Sequence, residues 1–228
     1  IITISYNDLQ GLKKTVNSVK SQTFKNYKHI IIDGDSSDGT KEFLKSIKND
    51  VFYISEKDNG IYNAFNKGLS FIKGNYYTFL NANDEFFDDT VLEKIYKEIN
   101  NFNFDIIYTD LVYISENNSN VVRKWIAGKY DYNKLKFGWM FPHPTMIVAN
   151  KFSNLKFNEN FKISGDYDWT IRLVKLTKKI KYLNFITIKM RIGGESNKSL
   201  KNLFLKSYED FLIIKKNKIG NIFTLLLK

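Results

Sequence analysis

The chain has 228 residues, room for one α/β domain or for a domain with a small appendage. Its 43% hydrophobic and 16% aromatic content supports a sizeable core and excludes a disordered class. Zero cysteines exclude disulfides, thiolate metal sites and thiol catalysis; with only His29 and His143, a His-rich zinc centre is not expected. The net charge of +11 favours polyanionic partners: nucleic acid, an anionic membrane face or phosphorylated substrates. The basic residues are spread along the chain without a zinc finger, basic zipper or aromatic RNA-binding signature, so nucleic acid is not the expected partner. No apolar run approaches the roughly 20 residues that span a bilayer. No secretory leader is legible, and the expected compartment is the cytoplasm.

The first hundred residues alternate strand and helix. An apolar run over Ile1–Ser5 leads to Tyr6 and Asn7, and Leu9, Leu12, Val16 and Val19 then recur at helical spacing behind Asp8 as N-cap. The strand His29–Asp33 follows. Asp38-Gly39-Thr40 turns the chain into a helix carrying Phe43, Leu44 and Ile47. Val51–Ser55 reads as a short strand, and Ile61, Ala64, Phe65, Leu69 and Ile72 fit a helix that stops at Gly74. Tyr76–Leu80 is again a strand, followed by a helix from Thr90 to Asn100. Strands separated by helices of this length predict βαβ units and a mainly parallel central sheet flanked by helices.

After Phe104 the pattern changes. Asp105–Ser115 and Val121–Ile126, joined by the polar Glu116–Asn120, read as a hairpin, and His143–Ala149 as another strand. A helix over Tyr167–Leu176 and a strand over Lys181–Ile188 complete the compact part. We expect one domain over 1–198, with its halves at 1–104 and 105–198, and a helical tail over 199–228. That tail alternates apolar clusters with lysines. Docking on the domain is expected first, and contact with an anionic membrane surface second.

Three strands end in polar side chains: Ser5 and Asn7, Asp33 and Asp35, and Asn81, Asn83 and Asp84. In an open α/β sheet, ligands bind beyond the carboxyl ends of the strands. The Asn81–Asp84 cluster suits a hard divalent cation, Mn2+ or Mg2+, and with it a phosphate substrate, although a helix cap uses the same residues. Asp33 at a buried strand end needs a partner, such as a base N–H or a ribose hydroxyl. The following Ser37–Thr40 is good turn chemistry. Glu56–Gly60 reads as a turn before the helix bearing Asn63, Asn66 and Lys67. Asp166 opens a helix, where the dipole favours its charge, and the neighbouring Tyr167 and Trp169 are expected to shield it and raise its pKa toward that of a useful base. Arg172 is placed to pair with Asp168 at i, i+4. Pro142 and Pro144 constrain the backbone around His143, and Gly193-Gly194 before Glu195-Ser196 suggests a loop that closes over a ligand.

Taken in order, these segments resemble family 2 glycosyltransferases, inverting nucleotide-sugar enzymes of the GT-A fold. The matching stretches are Ile1–Asn7, Ser18–Gln22 through Thr40, Glu56–Gly68, Phe79–Asp84 and Gly165–Leu173. Pro142–Thr145 and Met190–Asn197 are similar to a bacterial subgroup serving surface-polysaccharide assembly. The resemblance implies a nucleotide-diphosphate sugar donor and a glycan or lipid-linked acceptor. It implies donor binding by Ser5, Asn7, Asp33, Asp58, Asn66, Asn81 and Asn83, a metal on Asp84 and Asn83, and Asp166 as catalytic base. His143, Trp169 and Arg191 are its acceptor or loop candidates. Family members commonly carry acidic residues where this chain has Asn81 and Asn83; amide oxygens ligate a cation without charge and bind it more weakly. Such chemistry needs only one base, because the diphosphate leaves with cation assistance. Two other readings stand beside this one: a nucleotide-sugar-binding protein that has lost catalysis, and a nucleotidyltransferase. The latter calls for a Gly-rich basic loop after the first strand, which Tyr6–Gln10 does not supply.

Overall fold

The computed structural model describes residues 1–115, 120–192 and 199–228. The 116–119 part of the expected hairpin connection and the Gly193–Asn197 loop lie outside the described residues. Strand β1 (Ile2–Ser5) pairs in parallel with β2 (Ile30–Asp33), and β2 with β3 (Phe52–Ser55), in a register that places Ser5, Asp33 and Ser55 in one row. Helices α1 (Leu9–Lys20), α2 (Thr40–Ser46) and α3 (Ile61–Leu69) alternate with these strands. Asp8 caps α1 by accepting from the Gly11 N–H at 2.9 Å. Alternate residues of β2 feed both faces of the sheet. Ile31 packs with Leu12 and Val16 of α1 and Leu44 of α2, while Ile30 and Ile32 join Phe65 and Leu69 of α3.

Strand β4 (Tyr76–Thr78) continues along the other edge of β1. Phe79 bridges Ile2 in parallel, and the Leu80 and Ala82 N–H groups donate to Ile2 and Ile4 carbonyls at 2.9 and 3.1 Å. The chain then forms β5 (Glu85–Phe86), α4 (Val91–Asn101), β6 (Ile106–Ile114), β7 (Val121–Trp125), β8 (Ile147–Ala149), α5 (Gly165–Val174), β9 (Ile180–Arg191), α6 (Leu200–Asn217) and α7 (Ile222–Leu227). The parallel arrangement predicted for the sheet holds in the first half. The second sheet, in order β4-β8-β6-β9-β5, is mixed: only β6 and β9 run parallel, and β7 adds to β6 as the expected hairpin. This is an α/β architecture of one parallel and one mixed sheet flanked by helices.

His143–Thr145 is a 3-10 turn rather than the start of a strand, and the strand begins only at Ile147. Pro142 and Pro144 lack the N–H groups a sheet ladder requires, which ends the extended run before it starts. An aromatic core joins the two halves: Phe157 stacks on Trp169 at 4.8 Å, and Phe79 meets Trp169 edge-on at 6.0 Å. Trp169 is fully buried and its indole N–H donates to Leu155, so it is not the acceptor-contacting residue the sequence suggested.

Thr15 ties the fold to the strand-end rim. Its buried hydroxyl lies 2.7 Å from the Asp84 carbonyl and 3.1 Å from that of Asn81. Thr15→Val keeps the shape but strands the Asp84 carbonyl, since that of Asn81 still accepts from the Asp84 N–H at 3.1 Å, and should lower unfolding free energy by about 1–2 kcal/mol in urea titration. Unchanged stability would show that the turn does not depend on this hydroxyl.

Candidate functional site

The aligned ends of β1, β2 and β3 build one side of the site. Asp33 is completely buried, and its carboxylate accepts from the Ser36 hydroxyl (2.5 Å), the Ser36 N–H (3.2 Å) and the Ser55 hydroxyl (2.6 Å). Its charge therefore has internal partners. Asn7, in a left-handed conformation (φ 49°), accepts from Ser37 N–H at 2.9 Å, and its own N–H donates to Ser36 Oγ at 2.7 Å. It braces the β1 and β2 loops against each other. The carboxylate of Asp58 and the ring of Tyr6 close on Gly34, where an added Cβ would meet Asp58 Oδ2 at 2.7 Å. Tyr6 is 67% exposed at this rim. The sequence reading passed over it, although an aromatic just past a strand end was the signal. Asn66 lies elsewhere: its amide bonds the Phe157 backbone and Glu159, stapling α3 to the second half.

At the end of β4 the Asn81 and Asn83 Oδ1 atoms are buried without a hydrogen-bond partner, as is Ser5 Oγ. Asp84 is 5% exposed; burial pushes its carboxyl up to about 7, against the pull of His143 and Arg191. Among the described residues no group of three or more His, Cys, Asp or Glu stands ready for a metal. Two orphaned amide oxygens beside a buried carboxyl nevertheless fit a hard cation in donor chemistry.

Asp166 stands in the first turn of α5, beside His143, whose charge also acts on Asp84. Its Oδ2 is 2.9 Å from His143 Nδ1, and its Oδ1 is 3.4 Å from the Tyr62 hydroxyl, which donates to the Ile163 carbonyl at 2.6 Å. Gly165 admits the Tyr62 ring, since a Cβ there would sit 2.7 Å from it. Burial works to raise the Asp166 carboxyl, but His143 and Lys228 outweigh it and hold the group below the usual carboxylate range. The direction is opposite to that expected from Tyr167 and Trp169. Arg172 pairs with Asp168 at 2.7 Å, as the spacing predicted.

Helix α6 completes the surroundings. Its buried face carries Ile213 and Ile214, and the Glu209 carboxylate accepts from the Lys162, Ile163 and Ser164 N–H groups at 2.7, 2.9 and 2.8 Å. These amides immediately precede α5, so the tail fixes the segment that presents Asp166. Beside Asp166 opens a cavity of about 580 Å³, lined by residues of β6, β7, β9, α5 and the tail, among them His143, Arg191 and Lys228. Arg191 also pairs with Glu85 at 3.0 Å.

The glycosyl transferase family 2 profile matches residues 1–157. The chain belongs to that family. An uncharacterised glycosyltransferase of Methanocaldococcus jannaschii is 28% identical over 232 residues, covering 96% of this chain and 79% of that protein. A PGL/p-HBAD biosynthesis glycosyltransferase of Mycobacterium bovis is 24% identical over 215 residues, covering 90% and 82%. In fold, the chain is similar to S. aureus TarS 1-349 solved with UDP-GlcNAc, with a TM-score of 0.74 at 17% identity, covering 94% of this chain and 64% of that one. A mannosyltransferase from Pyrobaculum calidifontis, solved with GDP-Man and Mn2+, matches with a TM-score of 0.66 at 11% identity, covering 94% and 62%. This chain thus spans under two thirds of each of those structures.

Two measurements check the site's electrostatics. Glu209→Ala should lower unfolding free energy by about 2–3 kcal/mol, because it strands buried N–H donors. Hydrogen exchange should accelerate at Ile163 and Ser164; exchange rates like those of the parent would contradict the clamp. For Asp84, the folded-state carboxyl holds its proton to about 7, above the unfolded value of 3.8. Stability should therefore fall as pH rises between those values, and Asp84→Asn in chelator should flatten that slope. An unaltered slope would place the titration elsewhere.

Proposed function

We propose that the chain is an inverting glycosyltransferase that moves a sugar from a nucleotide-diphosphate sugar to a hydroxyl of a glycan or lipid-linked acceptor, in bacterial surface polysaccharide synthesis. The observation that carries this reading is Asp166 between the strand-end rim and a cavity. Its Oδ2 is held by His143 at 2.9 Å, which leaves Oδ1 to take a proton. The half up to residue 104 holds the donor in this reading and residues 105–198 receive the acceptor, with the 199–228 tail buttressing them. Tyr6 offers an exposed ring face to the base, and Asp58 and the loops braced by Asp33 and Asn7 offer acceptors and amides to the nucleoside. The unpartnered Ser5 hydroxyl could donate to the diphosphate, and the unpartnered amide oxygens of Asn81 and Asn83 would face it through a cation.

Asp166, ionised at neutral pH, removes the acceptor proton as the acceptor oxygen bonds to the anomeric carbon. The bond from that carbon to the diphosphate breaks on the opposite face, and the electron pair leaves with the nucleoside diphosphate. Asn81, Asn83 and Asp84 would hold Mn2+ or Mg2+, which when bound supplies positive charge to the leaving group. His143 orients Asp166 through Oδ2, and Tyr62 fixes the backbone beneath it.

Peripheral contact with the inner face of an anionic membrane fits the outer side of α6. Leu200, Phe204 and Tyr208 are 76%, 76% and 61% exposed there, and Lys201 and Lys215 lie among them on the same side. Among the described residues no helix is long and apolar enough to cross a membrane.

The test begins with calorimetry of nucleotide-diphosphate sugars, with and without manganese, followed by transfer assays with the best binder. Asp166→Asn should reduce transfer by about 10²–10⁴-fold while donor affinity stays within about twofold. Activity within about tenfold of the parent would remove Asp166 as the base. Donor binding with no transfer by the parent to any acceptor class would favour the binding-protein reading.

A further inference from the structure

The sheet side of the cavity carries a row of side chains for which the proposed reaction has no use so far. Tyr113 on β6 stands opposite Met190 on β9 to one side and Arg123 on β7 to the other. Cross-strand partners share a sheet face, and all three line the cavity that Asp166 borders. The row runs on toward the rim. Glu85 on β5 stands opposite Lys189 on β9, which sets the preceding Asp84 beside Met190 and Arg191, and the Arg191 backbone draws on the Asp84 carboxyl. One line of residues thus leads from the proposed cation site to the cavity of the base.

Tyr113 is half-buried, and its hydroxyl makes no hydrogen bond to another of the described residues. Neighbouring tyrosines are spent on the fold: Tyr108 donates to the Gly128 carbonyl at 2.6 Å and Tyr182 to Asp110 at 2.9 Å. The Arg123 guanidinium lies 5.5 Å from the centre of the Tyr113 ring and makes no ion pair among the described residues. Burial raises the phenol above its ordinary value, Arg123 pulls it down and the charge of Asp84 pushes it up. The group keeps its proton at neutral pH, and it is a hydrogen-bond donor within electrostatic reach of Asp84.

We propose that Tyr113 is a further catalytic residue, whose hydroxyl donates to an oxygen of the donor's β-phosphate as the bond to the anomeric carbon breaks. Arg123 is a positioning residue that acts through the ring. The phenol keeps its proton throughout. The electron pair stays with the departing diphosphate, and the hydrogen bond strengthens as charge gathers there. The inference rests on the glycosyltransferase reading and adds a group to its leaving step. The need for one is local: with Asn at 81 and 83, a cation depends largely on the substrate, and a fixed donor adds stabilisation that does not.

Calorimetry of the uridine, guanosine, cytidine, adenosine and thymidine diphosphates against their monophosphates, with manganese, reads this contact without turnover. Tyr113→Phe keeps the ring over which Arg123 lies. It should weaken the diphosphate that the parent binds by about tenfold or more, and the matching monophosphate by less than about twofold. In transfer assays kcat should fall by about tenfold or more, with the acceptor KM within about twofold. Arg123→Met should weaken the diphosphate by about threefold in the parent and no further in Tyr113→Phe, and Arg123→Lys should restore most of the loss. Additive losses from the two substitutions would reject the role of Arg123. An equal loss of monophosphate would put the phenol at the nucleoside and overturn the proposal. Diphosphate binding by the parent that Tyr113→Phe leaves intact overturns it too, and spares the donor reading. A parent that binds none of the diphosphates rejects the donor reading and this role with it.

Discussion

Strand β1 is the constraint on which the molecule depends, because both sheets are built from its two edges. One edge carries β2 in parallel register, and the other receives Leu80 and Ala82 through bonds to the Ile2 and Ile4 carbonyls. Thr3 adds a side-chain bond to the Leu80 carbonyl at 2.7 Å and lies 2.8 Å from His29 Nε2. Burial lowers the His29 ring to about 3, so it stays neutral at ordinary pH and serves the sheet, not chemistry. A four-residue strand buried on every side thus sets the height at which Ser5, Asp33 and Asn81 emerge. A one-residue slip would turn each of these side chains to the other face.

The second half is anchored to this frame by polar contacts that surround Asp166. Tyr62 on α3 holds the Ile163 carbonyl, Asn66 holds the Phe157 backbone, and Glu209 on α6 holds the amides from Lys162 to Ser164. The segment that presents Asp166 is therefore gripped from both sides by buried groups. A position fixed this way suits a base, since proton transfer requires the carboxylate within hydrogen-bond reach of the acceptor and not merely near it.

The helices and strands of the first half were legible because each carries a complete local signal: period, cap and turn residues agree over ten or so positions. Asp8, Gly39 and Thr90 stand at helix starts as their sequence context indicates. The rim was legible too, since polar residues directly after apolar runs mark strand ends. What was not legible depends on partners distant in sequence. The depressed Asp166 carboxyl is set by His143, and local aromatics gave the wrong direction. Trp169 reads as a site residue beside Asp166, yet helical geometry turns it into the core against Phe157. Glu209 and Lys228 sit in a lysine-rich tail whose pattern says only amphipathic helix, and no periodicity reveals that one face reaches the site.

Charge divides along the same line as the two halves. The net +11 is not evenly felt at the site. Asp33, Asp35 and Asp58 gather at the rim, and Arg123, Arg191, Lys206 and Lys228 at the cavity. Asp33 and Asp35 are already engaged by Ser36, Ser55 and Lys41, so in the proposed reading Asp58 is the rim carboxylate left for a nucleoside donor, and the diphosphate would lie toward the uncharged Asn81 and Asn83. Acidic residues in those two places would bind a cation better before any substrate arrived, but would oppose the diphosphate without it. With amides there, the substrate's own charge becomes the principal attraction for a cation, so donor and metal should bind together more than either does alone. The retained Asp84, whose carboxyl burial raises to about 7, agrees with such an arrangement, because a cation beside it would favour its charged form.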